Sequence, residues 1–276
     1  MNNDNHRPSG PKSGKTAYAD CPRCGYKNAL AITETKERTL YRCHAGCEQG
    51  DLLRTLKDIA PFVSVPANPR AYPQSSARNY IPVLWERGEL PEGTVIETYL
   101  RNRCIPGPIP TTIRYLRNHL HKPTETYWPV MLAAVSDTSG RLRAVHRTYL
   151  APDGSGKAPV QPPRMTLGPI GGLACHLSSA GRELTVAEGI ETALSVQSVC
   201  RIPAWAALST GGLERLILPP LPLASFVIVA ADADPPGMKS AKAAAARWAA
   251  EGRRCEIIVP SRPGTDFNDM LREASL

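Results

Sequence analysis

Two apolar stretches that end in acidic residues decide the fold of this chain: Leu184-Thr-Val-Ala-Glu188-Gly189 and Phe226-Val-Ile-Val-Ala-Ala-Asp232-Ala-Asp234. Each has the length and composition of a buried β-strand. Around them, the apolar periodicity predicts strands over 183–187, 204–208, 226–231 and 255–259, which alternate with helices over 190–200, 213–218 and 238–251 and precede a last helix from 266. Strands that alternate with helices predict an α/β fold, in which helices flank a parallel sheet.

The acidic residues at the ends of these strands predict a metal site. Because the carboxyl ends of parallel strands meet at one edge of a sheet, we expect the carboxylates to lie close together. Crowded carboxylates repel one another unless a divalent cation shares them, and oxygen donors suit Mg²⁺ or Mn²⁺. Such ions align an attacking hydroxyl with a phosphate, so the pattern predicts phosphoryl transfer. The candidates are Glu188, Asp232 and Asp234 as catalytic metal ligands, with Asp266 and Asp269 as auxiliary ligands. Solvated loop acids and helix N-caps are the alternative, and Asp266 is expected to be a cap as well.

Four cysteines near the amino terminus form two pairs. Cys21-Pro-Arg-Cys24 and Cys43-His-Ala-Gly-Cys47 have the spacing of a two-knuckle zinc ribbon, in which four thiolates surround a structural Zn²⁺. His44 is an alternative to Cys43, although a thiolate is the softer and more usual donor. Basic and aromatic side chains in this segment offer phosphate contacts and stacking surfaces for a single nucleic-acid strand. They are Arg23, Tyr26, Lys27, Lys36, Arg38, Tyr41 and Arg42. A ribbon with a purely structural role is the alternative.

The overall composition favours a polyanionic partner. The formal net charge is +8 and the pI is about 9.2, and each Lys or Arg set against a phosphate releases condensed counterions. The cysteines outside the ribbon are scattered, which fits a reducing cytoplasm better than a disulfide framework. No run of about 18 apolar residues occurs, so neither membrane insertion nor secretion is expected.

The composition also divides the chain into segments. Residues 1–17 are polar and basic and predict a disordered tail, residues 18–59 form the ribbon, and residues 60–77 form a proline-containing linker. Residues 78–180 predict a small basic α+β subdomain, with a short helix and antiparallel strands. Residues 181–276 form the α/β domain.

Several basic residues are candidates for nucleotide or nucleic-acid binding. On the strand predicted over 141–150, alternate residues share one face, so that Arg143 and Arg147 form a cationic surface beside the metal site if the hairpin packs there. An exposed strand face without a ligand is the alternative. Lys157 and Arg164, in a loop rich in Gly and Pro, and Lys239, near the start of a helix, are further candidates for holding nucleotide phosphates.

The order strand-Glu-Gly, helix, strand, helix, strand-Asp-x-Asp resembles the Toprim signature, which bacterial-type primases, topoisomerases, certain nucleases and recombination mediators share. The resemblance implies a Toprim-type parallel sheet, in which Glu188 matches the family's glutamate and Asp232 and Asp234 match its paired aspartates. Bacterial primases carry a further acid four residues after the glutamate, where this chain has Thr192 with Glu191 beside it. The fourth ligand of the family therefore has no direct counterpart here.

The zinc ribbon narrows the resemblance to primases. Phage, plasmid and bacterial primases begin with such a ribbon and continue into a basic subdomain before Toprim, and segments 41–47, 145–150 and 164–168 look like the Toprim primases of mobile elements. The resemblance implies a DNA-directed RNA polymerase of primase type, a nucleotidyltransferase that makes short RNA primers from ribonucleoside triphosphates on single-stranded DNA. A Toprim nuclease, which uses the same acids to activate water, and a non-catalytic DNA-binding recombination mediator are the alternatives.

A nucleotide-driven motor is not expected in this chain. The segment Gly10-Pro-Lys-Ser-Gly14-Lys15-Thr16 has three residues between its glycines, whereas a phosphate-binding loop needs four and a strand before them. The resemblance to primases therefore implies that a replicative helicase is a separate protein partner.

Overall fold

The computed structural model describes residues 16–23, 25, 29–35, 39–43, 47, 49–59 and 74–274. The chain divides into two compact units, Met1–Tyr72 and Pro73–Leu276. The tail predicted over 1–17 lies outside the described residues except for its last two positions, which belong to a strand. In the linker predicted over 60–77, the last four residues begin a helix, and the others lie outside the described residues.

The first unit holds a small antiparallel sheet followed by a helix. Its described elements are β1 (Thr16–Ala19), β2 (Leu30–Glu34), β3 (Thr39–Cys43) and α1 (Gln49–Ile59). The central strand is β2, which pairs with β1 on one side and β3 on the other. Leu30 of β2 and Leu52 of α1 are buried together with Cys21 and Cys43. The cysteines are therefore part of the small apolar core of this unit.

The second unit begins with an antiparallel sheet and two helices. The elements are α2 (Gln74–Glu86), α3 (Val95–Asn102), β4 (Ile113–His121), β5 (Thr126–Ser136), β6 (Leu142–Tyr149) and β7 (Arg164–Leu167). The sheet has the order β4-β5-β6-β7. Ile81 and Leu84 of α2 pack with Val145 and Tyr149 of β6. The antiparallel hairpin predicted from the sequence is present as β5 and β6.

A mixed sheet of five strands completes the second unit. Its elements and their helices are β8 (Cys175–His176), β9 (Glu183–Ala187), α4 (Ile190–Cys200), β10 (Ala204–Ala206), α5 (Thr210–Arg215), β11 (Phe226–Ala230), α6 (Pro235–Ala250), β12 (Arg254–Ile258) and α7 (Phe267–Ala274). The strand order is β12-β11-β9-β10-β8. Strands β9 to β12 are parallel, as the alternation of strands and helices predicts. Strand β8 pairs antiparallel with β10, so the sheet takes one strand from before the boundary predicted at 181.

Both faces of the mixed sheet are buried. On one face, Leu184 and Val227 pack with Trp248 of α6. On the other, Ala187 packs with α4 and with residues of α3, β4 and β5. The two sheets therefore share a hydrophobic core, which explains why residues from 73 onward form one compact unit. None of the helices in the described part of the chain is long and apolar enough to cross a membrane.

Candidate active site and cysteine cluster

Three of the four predicted zinc ligands lie together in the first unit. The Sγ atoms of Cys21, Cys43 and Cys47 all lie within 4.8 Å of one another, and those of Cys21 and Cys47 are 3.8 Å apart. Thiolates bound tetrahedrally at a Zn–S distance of about 2.3 Å are separated by about 3.8 Å, so this spacing fits zinc. Cys24 and the alternative ligand His44 lie outside the described residues.

The local backbone positions this cluster. Gly25 donates its backbone N–H to the carbonyl oxygen of Cys21 at 2.8 Å and has φ +74°, a conformation that favours glycine in the turn of a zinc knuckle. Cys43 is the last residue of β3 and pairs with Leu30 of β2. Of the basic and aromatic residues predicted to contact a single strand, the structure describes the exposed Arg23 and Arg42 and the half-buried Tyr41. Tyr26, Lys27, Lys36 and Arg38 lie outside the described residues.

The predicted carboxylates follow strands of the parallel sheet at its carboxyl edge. Glu188 comes directly after β9, and Asp232 comes two positions after β11, the strand next to β9. Strand β12 pairs with the other side of β11, and the loop after it leads to Asp266 and Asp269 at the start of α7. The strand order therefore brings the acids from three segments to one edge.

Three of these acids also cap helices. Asp234 is the N-cap of α6, and its Oδ1 accepts a 2.7 Å hydrogen bond from the backbone N–H of Gly237. Oδ1 of Asp266 accepts from the N–H of Asp269 at 2.9 Å, and Oδ2 of Asp269 accepts from the N–H of Asp266 at 3.2 Å. This reciprocal pattern is a capping box, which fixes both side chains at the start of α7.

The two inner acids repel each other. Burial and then the charge of Asp232 raise the pKa of Glu188 to about 7. Burial and then the charges of Asp266 and Asp234 raise the pKa of Asp232 to about 6. The Oδ1 atom of Asp232 is buried and has no hydrogen-bond partner among the described residues. An all-oxygen donor set with an unpartnered buried oxygen fits Mg²⁺ or Mn²⁺, which Glu188, Asp232 and Asp234 would hold.

The carboxylates are less tightly gathered than the cysteines. Among the residues that the structure describes, only the cysteine cluster brings three potential ligand atoms within 4.8 Å of one another. Asp234 turns its Oδ1 toward the backbone of α6, where it accepts the N–H of Gly237. The acids therefore lie along one edge of the sheet without forming a cluster as compact as that of the thiols.

A second charged cluster includes Glu191, on the first turn of α4. Its Oε1 accepts a 2.6 Å hydrogen bond from Tyr99 Oη and lies 3.2 Å from Lys157 Nζ. Burial opposes the ionisation of Glu191, but Lys157, Arg164 and Tyr99 outweigh burial and hold the pKa of this carboxyl well below its usual value. Thr192, the next residue of α4, is buried as well. Sequence reasoning missed the contact of Tyr99 with Glu191, because these two residues are 92 positions apart in the chain.

Two of the predicted basic residues lie close to these acids. Lys157 pairs with Glu191, as described above. Arg164 is the first residue of β7. Its positive charge partly offsets the rise in the pKa of Glu188 and Asp232, and it helps to lower the pKa of Glu191. Arg164 is therefore within electrostatic reach of both clusters.

The structure does not bring the other three predicted basic residues to the carboxylates. Arg147 lies on the face of β6 that packs against α2, and its Nη1 is 3.4 Å from His119 Nε2. The β5–β6 register shifts at Arg143, which interrupts the predicted period of two, and the guanidinium of Arg143 lies 3.9 Å from Asp137. Lys239 is exposed on α6. None of the three is among the charges that shift the pKa of the two inner acids.

Solved primase structures are similar to this chain at low sequence identity. The DnaG primase catalytic domain bound to ssDNA is 15% identical, with a TM-score of 0.49, over 72% of this chain and 75% of that chain. The Aquifex aeolicus primase with its zinc-binding and RNA polymerase domains is 12% identical, with a TM-score of 0.46, over 95% of this chain and 77% of that chain. A DNA primase domain from Pseudomonas aeruginosa is 17% identical, with a TM-score of 0.38, over 57% of this chain. The present chain spans about half of that domain, 52% of its length.

Two family matches cover most of the second unit. Residues 75–177 match a family described as a domain of unknown function (DUF7146). Residues 183–275 match the Toprim domain family. No curated protein sequence matches the chain. The segment that contains the parallel strands, with its acids at the strand ends, is a Toprim domain.

Proposed function

We propose that this chain is a primase-like nucleotidyltransferase, which makes short RNA primers on single-stranded DNA in a reaction that requires Mg²⁺ or Mn²⁺. The observation that carries the proposal is the pair of half-buried, mutually repelling carboxylates, Glu188 and Asp232, at the edge of a Toprim sheet. Arg164 supplies positive charge beside these acids. The acids can therefore bind a cation, and the guanidinium can bind a phosphate.

The proposed reaction joins two nucleotides. A 3′-hydroxyl oxygen forms a bond to the α-phosphorus of an incoming ribonucleoside triphosphate, and the bond from that phosphorus to pyrophosphate breaks. The hydroxyl gives its proton to water, and pyrophosphate leaves. A divalent cation held by Glu188, Asp232 and Asp234 would lower the repulsion between the attacking 3′-oxygen and the negatively charged α-phosphate. The side chains of Arg164 and Lys157 bind the phosphates, which offsets the negative charge of the acids toward a polyanionic substrate.

The first unit is proposed to engage the template. Its exposed Arg23 and Arg42 suit phosphate contacts, and Tyr41 offers a ring for stacking on a base. The zinc-ribbon fold would hold these side chains on short strands and turns. A replicative helicase is the proposed protein partner, because the template strand must be single-stranded.

Synthesis of labelled RNA on single-stranded DNA tests this proposal. With Mg²⁺ and ribonucleoside triphosphates, the wild type is expected to make short products, and Asp232→Ala is expected to lose at least about 100-fold in rate. Glu183→Ala is a matched control, because Glu183 is an exposed acid at the opposite end of β9 from Glu188.

Two results would contradict the proposal. One is the absence of a metal-dependent RNA product from the wild-type chain, and the other is an unchanged rate for Asp232→Ala. Cleavage of DNA or RNA without added nucleotides, lost in the same variant, would instead assign the acids to a nuclease.

A further inference from the structure

Glu191 is a buried acid that the proposed reaction does not use, although it lies next to the candidate active site. Its side chain is 7% exposed, and its Oε1 receives both the Tyr99 hydroxyl and the Lys157 ammonium. Its Oε2 lies near the turn after β9, because a Cβ built on Gly189 would be 3.8 Å from this oxygen. The carboxylate therefore lies between the turn that follows Glu188 and the ammonium of Lys157.

The start of α4 explains why an ionised acid is stable at this position. The N-cap residue is Gly189, which has no side chain to accept a backbone N–H, and Glu191 is the acid in the first turn of the helix. The amino-terminal end of a helix also carries partial positive charge, which favours a carboxylate. Tyr99 is 0% exposed, so packing holds its hydroxyl in place against the acid.

The ion pair with Glu191 restricts the rotamers of the Lys157 side chain. A free lysine side chain samples many rotamers, and holding it in one of them costs conformational entropy when a ligand binds. Here a buried acid already holds the ammonium, and the Lys157 side chain remains 25% exposed. An ammonium has three donors, so a contact with Glu191 leaves donors that can reach a ligand from solvent.

Arg164 connects this pair to the acids of the candidate active site. Its charge acts on Glu188 and Asp232 as well as on Glu191, and it lies on β7 as an exposed residue. Of the two cations, Arg164 acts directly on the acids of metal-binding type, and Lys157 lies within electrostatic reach of Arg164 and contacts Glu191. A nucleoside triphosphate has the matching chemistry, because it carries several anionic phosphates in a row and binds divalent cations.

We propose that Glu191 and Tyr99 are positioning residues, which hold Lys157 so that it and Arg164 bind the triphosphate of the incoming nucleotide. The inference rests on the proposed function and deepens it. It also assigns Glu191 a role other than metal ligand, in which its Oε1 contacts the hydroxyl and the ammonium.

Steady-state kinetics of primer synthesis by the full chain test this assignment. Glu191→Gln keeps the size of the side chain and removes its charge, and Tyr99→Phe removes only the hydroxyl. We expect Glu191→Gln to raise KM for ATP about tenfold while kcat changes less than about threefold, because the lost contact acts on nucleotide binding. Glu97→Gln is the matched control, because it removes the exposed ion pair of α3 with Arg101 and leaves both clusters intact.

A double-mutant cycle with Lys157→Ala separates positioning from a general effect on the fold. If Glu191 acts through Lys157, Glu191→Gln changes KM by less than about twofold in the Lys157→Ala background. An equal rise of KM in both backgrounds would overturn the assignment. So would a fall in kcat with unchanged KM, or a Mg²⁺ activation constant that rises in Glu191→Gln, since both results would make Glu191 a metal ligand or a purely structural residue. Thermal unfolding of each variant shows whether it is folded, and Tyr99→Phe provides the second test if Glu191→Gln is not.

Equilibrium binding of ATP distinguishes this inference from the proposed function. If the chain makes no primers but binds ATP, and Glu191→Gln weakens that binding about tenfold only when Lys157 is present, the positioning role stands and the primase proposal fails. If primers are made and ATP binding is the same in Glu191→Gln as in the wild type, the primase proposal stands and the positioning role fails.

Discussion

At the scale of single residues, two ionised acids of the candidate active site lower the stability of the folded chain. Glu188 and Asp232 have raised pKa values, which means that their ionised forms are less favourable in the folded chain than in the unfolded chain. Replacing either carboxylate with a neutral amide would remove this loss of folding stability. Such local conflicts are expected at functional sites, and the unpartnered Oδ1 of Asp232 supports the cation that we propose there.

The first residue-scale prediction concerns Asp232 and pH. Its pKa is about 6 in the folded chain against an ordinary value of 3.8, so the folded state holds the proton more tightly. As the pH rises from about 4 to about 6, Asp232 ionises more readily in the unfolded chain than in the folded chain, so the free energy of unfolding falls. In metal-free buffer at pH 8, Asp232→Asn is therefore expected to raise the free energy of unfolding of the second unit by on the order of 1–2 kcal/mol. The gain disappears below about pH 4.

Urea titrations in EDTA at the two pH values measure this difference. Glu183→Gln, an exposed acid on the same sheet, should change the free energy of unfolding little at either pH. Adding Mg²⁺ at pH 8 should stabilise the wild type and leave Asp232→Asn unchanged, because ligand binding to the folded state alone is stabilising. A variant that is less stable than the wild type at pH 8 would mean that the buried acid is already compensated without a cation.

Sequence reasoning found the acids but not all of their partners. Glu188 and Asp232 were predictable because each follows an apolar run that ends at the edge of a sheet. The contact of Tyr99 with Glu191 was not, because it depends on how α3 packs beside α4. Arg143 was assigned by a period of two, which the local shift of register interrupts.

At the scale of secondary-structure elements, accuracy depended on the strength of local signals. The strand over 183–187 and the helix over 190–200 were predicted with the bounds that the structure has, because a buried strand, a glycine turn and an apolar helix follow one another directly. Helix α6 begins three residues earlier than predicted, at Pro235. The Asp234 cap and a proline in the first turn mark this start.

Two elements had no usable local signal. Helix α2 contains Pro82 and begins inside the segment predicted as a linker, yet Ile81 and Leu84 pack it against β6. Tertiary packing here outweighs the low helix propensity of proline. Strand β8 has two residues, which is too short for an alternating pattern, and only its pairing with β10 defines it.

The prediction at this scale concerns the turn between β11 and α6. A Cβ on Gly237 would lie 2.9 Å from both the backbone oxygen of Asp232 and Oδ1 of Asp234. Gly237→Ala is therefore expected to displace the cap and the turn, lowering the free energy of unfolding by about 1–3 kcal/mol although alanine ordinarily favours a helix. Primer synthesis should fall more than about tenfold, because the shift moves both acids.

Thermal unfolding and primer synthesis measure the two effects. Gly50→Ala is the control, because Gly50 lies in α1 with nothing within 4 Å of an added Cβ, and this change should be neutral or slightly stabilising. Wild-type stability and rate in Gly237→Ala would show that the turn adapts without cost and that Asp232 does not depend on it.

At the scale of the whole molecule, the two compact units have different sources of stability. The second unit buries two large apolar clusters on the faces of its mixed sheet and a third under α2. The described core of the first unit consists of Cys21, Ala29, Leu30, Cys43 and Leu52, with a few partly buried neighbours. So small a core, with thiols as members, indicates that metal binding supplies much of the folding free energy of that unit.

Zinc removal is therefore expected to unfold the first unit and to spare the second. In the full chain, chelation or Cys43→Ser should abolish the calorimetric transition of the first unit, while the transition of the second moves by less than about 2 °C, because the units are separately compact. Metal analysis of the untreated protein should show one zinc per chain. Cys200→Ser is the control, since Cys200 is an exposed thiol of α4 outside the cysteine cluster. If the chelated chain keeps both transitions, the cluster does not stabilise the first unit, and if both transitions shift together, the two units do not fold independently.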